Sequence, residues 1–119
     1  RSWMPREIGG VLWFGNDDAN MVAFTPIYCS STVRPECYNT PGADAVNFSF
    51  KNAYWVCNMT SNMVYPRYSQ MFPTLKEVRD SLDSSYFAAQ PGVEAKAQEL
   101  YAQNPQAAVK YLNNYGSEV

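Results

Sequence analysis

The sequence predicts an α+β fold in which strands and a long loop occupy residues 1–50 and helices occupy residues 51–119. Short apolar runs bounded by glycine and turn residues fill the first part, a pattern typical of strands. In the second part, apolar residues recur at helical spacing. The length of 119 residues suits one compact unit and excludes an enzyme of two ordinary domains. We therefore treat residues 1–119 as a single unit.

A β-hairpin is predicted near the start of the chain. Residues 9–15, GGVLWFG, form an aromatic and β-branched run bounded by glycines, and residues 16–20 supply turn chemistry. Residues 21–28, MVAFTPIY, form the second strand. Pro26 cannot donate to a sheet ladder, so the end of this strand is expected at an edge or a bulge.

A long loop is predicted over residues 29–45, CSSTVRPECYNTPGADA, which are rich in Ser, Thr, Pro, Gly and Asn and lack periodicity. Loops of this length tend to be functional or to depend on packing with another element. The alternation of Val46, Phe48 and Phe50 then predicts one further short strand.

About four helices are predicted in the second part. Asn52 is expected to cap a helix over residues 53–71 with a kink at Pro66, which lacks an amide donor. This helix is apolar nearly all round and carries only Arg67 as a charge, so we expect it to be buried on more than one side.

The remaining helices are amphipathic. One is expected to end at Pro91-Gly92, and residues 93–103 repeat its pattern. A last helix, residues 105–114, is expected to begin after Asn104 as its N-cap and to end with Gly116 as its C′ residue. The first of these helices is predicted from the spacing of Leu75, Val78, Leu82, Tyr86 and Ala89.

Charge and hydropathy exclude two classes of partner. Residues 1–50 carry three basic and five acidic residues and residues 51–119 carry six of each, so neither part has the basic stripe that phosphate backbones attract. The longest apolar runs, such as residues 9–15 and 53–57, are far shorter than the roughly 20 residues that a membrane-spanning helix needs. We expect no nucleic-acid partner and no membrane segment.

The sequence contains no histidine, which removes the usual general base of serine and cysteine triads and the commonest zinc ligand. The cysteines Cys29, Cys37 and Cys57 include no CxxC pair, so we expect neither a metal nor a cofactor. Cys57 is expected to be a buried thiol. Cys29 and Cys37 flank seven residues and either form a disulfide in an exported protein or remain free in a reducing compartment.

Two other groups of residues have a functional and a structural interpretation. Asp17 and Asp18 could contact a metal or substrate, but their adjacency in a turn favours hydrogen bonding to nearby backbone. Trp3, Trp13 and Trp55 could form a stacking platform for sugars or bases. Because the chain lacks a basic groove, we favour a role in the core for them.

Four segments together carry a resemblance to a known family. They are RSWMPREIGGVLWFGNDDA, TPIYCSSTVRPECY, NAYWVCNMTSNMVYPRYSQMFPTLKEVRDSL and AKAQELYAQNPQAAVKYLNNY. These segments resemble the C-terminal part of bacterial cysteine dipeptidases of the N-terminal-nucleophile (Ntn) hydrolase class, relatives of penicillin V acylase and dipeptidase A. The resemblance extends from about Ser2 to Tyr115.

The resemblance implies an αββα sandwich in which a cysteine, made the first residue by processing, attacks the peptide carbonyl. Its free α-amine, or a water bridging to it, acts as the base, so no histidine is required. By the same resemblance, residues 9–28 end the sandwich and the helix over residues 53–71 packs on its sheet. The loop over residues 29–45, with Arg34 and Glu36, is expected to border the dipeptide pocket.

Carrying the family's nucleophile over to this chain gives a negative result. Neither Arg1 nor Ser2 is the cysteine required, and Cys29, Cys37 and Cys57 are internal and have no free α-amine. We therefore assign no catalytic residue and no metal ligand, and leave the substrate-binding residues open. The chain is interpreted as a C-terminal fragment that is inactive by itself.

Two functions follow as hypotheses. In the first, the chain completes a dipeptidase whose nucleophile lies upstream, with the rest of the parent chain and a dipeptide as partners and a homo-oligomer as a further option. In the second, it is a non-catalytic interaction or scaffold domain. The compartment, cytoplasmic or exported, stays open because a signal segment would lie outside this chain.

Overall fold

The computed structural model describes residues 1–118 and is a mixed α+β chain, as the sequence predicts. Two short strands precede three α-helices, and single 3₁₀ turns lie at Glu36–Tyr38 and Tyr65–Arg67. No helix in these 118 residues is both long enough and apolar enough to cross a membrane. The elements are β1 (Val11–Phe14), β2 (Thr25–Tyr28), α1 (Ala53–Val64), α2 (Tyr68–Gln103) and α3 (Pro105–Glu118).

The predicted hairpin is present as an antiparallel pair of β1 and β2, in which Trp13 lies opposite Pro26. One residue pair beyond the strands, the amide of Cys29 donates to the carbonyl of Gly10 at 3.0 Å. Hydrogen-bonded and non-hydrogen-bonded pairs alternate along such a ladder, which puts the Trp13–Pro26 pair at a non-hydrogen-bonded position. The missing amide of Pro26 therefore removes no bond between the strands.

The short strand predicted from Val46, Phe48 and Phe50 is wrong, because this segment forms bends and turns. The carboxylate of Asp44 accepts hydrogen bonds from the amides of Val46 and Asn47 at 2.8 and 2.9 Å. An aspartate that bonds to amides two and three residues ahead closes a local turn. The amides needed for a strand ladder are thus already used.

The single kinked helix expected over residues 53–71 is divided in two. Asn52 caps α1 as predicted, its side chain accepting from the amide of Trp55 at 3.3 Å. The helix then ends at Val64, and Pro66 lies within the 3₁₀ turn that leads into α2. A proline near the start of a helical segment costs no hydrogen bond, which explains why the chain restarts there.

The helix end predicted at Pro91-Gly92 is wrong, because α2 continues through these residues for a total of 36. A proline inside a helix is unfavourable by about 3 kcal/mol relative to alanine. Contacts around and beyond the proline oppose this penalty. Val93 and Ala97 are buried immediately beyond it, and the side chains of Gln90 and Glu94 bond across it at 2.8 Å. The count of about four helices was therefore too high.

The start of α3 is as predicted and its end is not. Asn104 caps the helix by accepting from the amide of Gln106 at 3.0 Å. Gly116, expected as the C′ residue, lies inside the helix and is buried. A methyl group built on Gly116 would lie 3.9 Å from the carbonyl oxygen of Pro26, so this glycine packs against β2.

The chain forms two compact units. Unit 1 comprises Arg1–Phe14, Thr25–Pro35 and Ser85–Val119, and unit 2 comprises Gly15–Phe24 and Glu36–Ser84. In unit 2 the buried residues include Met21, Val22 and Val64. The core of unit 1 is built by residues from its N-terminal segment, β2 and both helices: Met4, Ile8, Tyr28, Val93, Ala97, Ala108 and Leu112.

We expected α1 to be buried on more than one side, and within unit 2 this prediction is wrong. Only Ser61 and Val64 of this helix are buried, whereas Tyr54 is 47% and Met63 is 60% exposed. Tyr54 and Met63 are nine residues apart, so they project from opposite sides of the helix. Within this unit, then, α1 presents apolar side chains to solvent on more than one side.

Candidate functional site

The Asp17-Asp18 pair forms a turn, the role that the sequence favours. Asp17 adopts a left-handed backbone with φ of 71°, and the carbonyl of Asp18 accepts from the amide of Met21 at 2.9 Å. Aspartate tolerates this conformation better than most residues. The carboxylates bond to different partners: Asp17 accepts from the Asn58 side chain at 3.2 Å, and Asp18 accepts from the hydroxyl of Tyr65.

The rest of this turn is held to α2 within unit 2. The carbonyl of Asn20 accepts from Arg79, and the amide of Phe24 donates to the carboxylate of Asp83 at 2.9 Å. Both carboxylates of the Asp17-Asp18 pair are engaged in similar bonds between segments. Acid–base catalysis needs two groups directed at one substrate, and this pair instead fastens residues 15–24 to α1.

The cysteines do not form a nucleophilic site. All three are free thiols, with Cys29 exposed and Cys37 and Cys57 partly buried. Burial raises the pKa of Cys57, assisted by the charge of Asp17, and burial also raises the pKa of Cys37. Because the thiolate is the nucleophile, a raised pKa makes these two thiols less reactive. Full burial, expected for Cys57, is not reached.

The tryptophans occupy separate environments. Trp3 is 76% exposed, so the expected core role is wrong for it. Trp13 packs on Phe87 with ring centroids 4.4 Å apart. The indole nitrogen of Trp55 donates to the carbonyl of Asp44 at 3.0 Å. Each indole makes its own local contacts, and no stacking platform is built from them within either unit.

The first residues of the long loop are fixed to α3 in unit 1. The side-chain oxygen of Asn113 accepts from the hydroxyl of Ser31 at 2.6 Å and from the amide of Thr32 at 2.8 Å. Asn113 is only 9% exposed, whereas Ser31 is half-buried and Thr32 is exposed, so the two bonds are partly shielded from water. Arg34 and Glu36, the residues that the sequence proposed for a pocket border, both have exposed side chains.

A groove in unit 1 lies between this loop and α3. It has a volume of about 530 Å³. Its carboxylate, Glu7, accepts a hydrogen bond from the hydroxyl of Tyr101 at 2.8 Å. A bond from its own backbone amide and the Tyr101 hydroxyl hold the pKa of Glu7 below its usual value. The residues that line the groove include Glu7, Thr32, Val33, Val109, Lys110 and Asn113.

Sequence reasoning missed this groove. A polar signal was present in α3, where Gln106, Lys110 and Asn113 recur at helical spacing and so share a face. The prediction of that helix rests instead on Asn104, Pro105 and Gly116. The contribution of Glu7, a hundred residues away in the sequence, has no local signal.

In the part of the chain from residue 1 to residue 118, no three acidic, cysteine or histidine side chains are grouped so as to hold a metal ion. The family of this chain is therefore identified from its sequence. The model of peptidase family C69 matches residues 1–81, more than half of the chain. This chain belongs to peptidase family C69.

Membership of family C69 confirms the resemblance to dipeptidase A-type enzymes. The matched residues contain the hairpin, the long loop, α1 and the first part of α2, whereas α3 lies outside the match. No curated protein and no solved structure matches the chain. The family assigns the protein to the peptidases, while the hydrolytic chemistry must be inferred.

Proposed function

We propose that this chain is the C-terminal part of a dipeptidase whose nucleophile is an N-terminal cysteine upstream of Arg1. The observation that carries the proposal is the match of family C69 to residues 1–81. The absence of histidine from the sequence is compatible with a mechanism in which the α-amine of the nucleophile acts as the base. The internal thiols Cys37 and Cys57 suit this view, since burial keeps them protonated.

In this proposal, α1 packs on the sheet of an Ntn sandwich. The apolar side chain of Met63, which is 60% exposed, would be stabilised by burial against that sheet. β1 and β2 would add to the same sheet, since each has one unpaired edge in the two-stranded hairpin. The loop containing Arg34 and Glu36 would border the dipeptide pocket.

The test uses the intact protein. It is expected to hydrolyse dipeptides with a free amino end, and to lose this activity on treatment with iodoacetamide. Mass spectrometry of the inactivated protein should place the decisive label on a cysteine at the first position of the mature chain. Alanine variants of Cys29, Cys37 and Cys57 serve as matched controls and should keep the activity. Hydrolysis that depends on Cys57 would contradict the proposal.

The second candidate is a non-catalytic interaction or scaffold domain, which is supported by the exposed apolar side chain of Met63 on α1. Under this alternative the intact protein hydrolyses no dipeptide, with or without thiol modification. A Met63→Ser substitution would then weaken partner binding, and there would be no hydrolytic activity for it to affect. Under the dipeptidase proposal, the same substitution lowers stability instead.

A further inference from the structure

The groove between the long loop and α3 has the size and the polar groups of a small-molecule site. Its volume of about 530 Å³ lies within the range of roughly 300 to 1,000 Å³ that is typical of ligand pockets. All the residues that line it belong to unit 1. None of them is used by the hydrolytic mechanism proposed above.

The groove brings together two opposite charges from different parts of the chain. Glu7 belongs to the N-terminal segment and Lys110 to α3. The lowered pKa of Glu7 keeps its side chain a carboxylate at neutral pH. Lys110 is in no ion pair with another of the described residues. A ligand can therefore approach both charges.

Asn113 supplies a fixed hydrogen-bond donor to the same groove. The amide of Thr32 can only donate, so the side-chain oxygen of Asn113 must face it. The hydroxyl of Ser31 bonds to the same oxygen. This arrangement leaves the NH₂ group of Asn113 without an acceptor in the described part of the chain. Lys110 precedes Asn113 by three residues, which places both on one face of α3.

We propose that this groove binds a small zwitterion, a free α-amino acid. The ligand carboxylate bonds to Lys110 and to the NH₂ group of Asn113, while its ammonium group faces Glu7. A simple anion would be repelled by Glu7 and a simple cation by Lys110, so the pair selects a ligand that carries both charges. Val33 and Val109 offer apolar contact to the ligand side chain.

We assign this groove binding alone, because no thiol lines it in the described part of the chain and its two charged groups, Glu7 and Lys110, are taken up by the charges of the ligand. The proposal does not require the protein to be a peptidase. If the intact protein binds zwitterions and hydrolyses no dipeptide, the proposed function fails and this site stands.

Ligand-observed NMR with the intact protein tests the site, because one sample reports both binding and hydrolysis. The probe for the groove is L-alanine, compared with N-acetyl-L-alanine and L-alaninamide, and L-alanyl-L-alanine in the same sample reports hydrolysis. L-Alanine is expected to bind. The two blocked compounds should bind roughly tenfold more weakly, since each loses one charged contact.

Three variants assign the binding to the groove. Lys110→Gln and Glu7→Gln should each weaken zwitterion binding roughly tenfold. Asn113→Asp keeps the acceptor for Ser31 and Thr32. It should also weaken zwitterion binding, because it replaces the donor with a negative charge that repels the ligand carboxylate. Lys96→Gln is the control, because Lys96 pairs with Glu99 at 2.9 Å and does not line the groove. Equal binding of free and blocked alanine, or binding unchanged by Lys110→Gln and Glu7→Gln, would overturn the proposal.

Discussion

The side-chain oxygen of Asn113 lies 2.6 Å from the hydroxyl of Ser31 and thereby holds the first residues of the long loop to α3. The same oxygen accepts from the amide of Thr32. Loss of these bonds would leave the hydroxyl of Ser31 and the amide of Thr32 without this acceptor. The contact makes Asn113 a structural residue as well as a wall of the groove.

Replacing Asn113 with leucine is expected to lower the free energy of unfolding by about 1–3 kcal/mol, because each of the two hydrogen bonds that it removes contributes roughly 0.5–1.5 kcal/mol. Urea denaturation of the purified protein measures the change. Asn113→Asp is the matched control and should be much less destabilising, since it keeps the acceptor. A leucine variant as stable as the parent would show that the loop is not held by this contact.

The continuity of α2 through Pro91-Gly92 gives a second prediction. A glycine inside a helix is less favourable than alanine by roughly 0.5–1 kcal/mol, and a methyl group at Gly92 would meet no atom within 4 Å. Gly92→Ala should therefore raise the free energy of unfolding by that amount in a urea titration. If the helix ended at Gly92 instead, the substitution would be neutral or destabilising.

Gly42 offers the matched comparison for this measurement. It has an equally open environment but a backbone φ of 78°, a conformation that side chains rarely adopt. Gly42→Ala should accordingly be destabilising by roughly 1 kcal/mol. Opposite signs at the two positions would separate the effect of backbone conformation from that of available space.

Local chemistry was sufficient to predict several features. The caps at Asn52 and Asn104 depend on a side chain and an amide two or three residues away, and both are present. The turn role of Asp17-Asp18 is local in the same way. Short-range signals of this kind do not depend on tertiary packing, so they can be predicted from the sequence.

The errors arose where distant burial decided the local structure. Pro91 marks a break by its own chemistry, and the burial of Val93 and Ala97 overrides it. Gly116 signals a helix end, but its contact with β2 keeps it inside α3. The groove combines Glu7 with Lys110, and no spacing rule predicts that such residues meet.

A third prediction concerns thiol reactivity. Cys29 is exposed, whereas burial raises the pKa of Cys37 and Cys57 and so lowers their thiolate fraction near neutral pH. Brief treatment of the folded protein with iodoacetamide should alkylate Cys29 first, and peptide mass spectrometry identifies the site. In urea the three rates should converge, which controls for sequence effects. Faster labelling of Cys57 in the folded state would contradict the assignment.

The last prediction concerns Tyr28, which is 1% exposed and whose hydroxyl has no hydrogen-bond partner among the described residues. Burial, together with the negative charge of Glu94, raises the pKa of Tyr28 far above its ordinary value of 10.0. The folded state then keeps a proton that the unfolded state releases. The stability that Tyr28 contributes is complete below pH 10 and is lost as the pH rises above that value.

Tyr28→Phe should change the free energy of unfolding by less than about 1 kcal/mol at pH 7, because the hydroxyl that it removes makes no bond. Above pH 10 the parent should lose stability faster than the variant, since only the parent carries the shifted phenol. Urea denaturation at pH 7, 9 and 10.5 measures both curves, and Tyr54→Phe, at an exposed position, is the control. Parallel curves for the parent and Tyr28→Phe would mean that Tyr28 ionises as readily in the folded protein as in the unfolded chain.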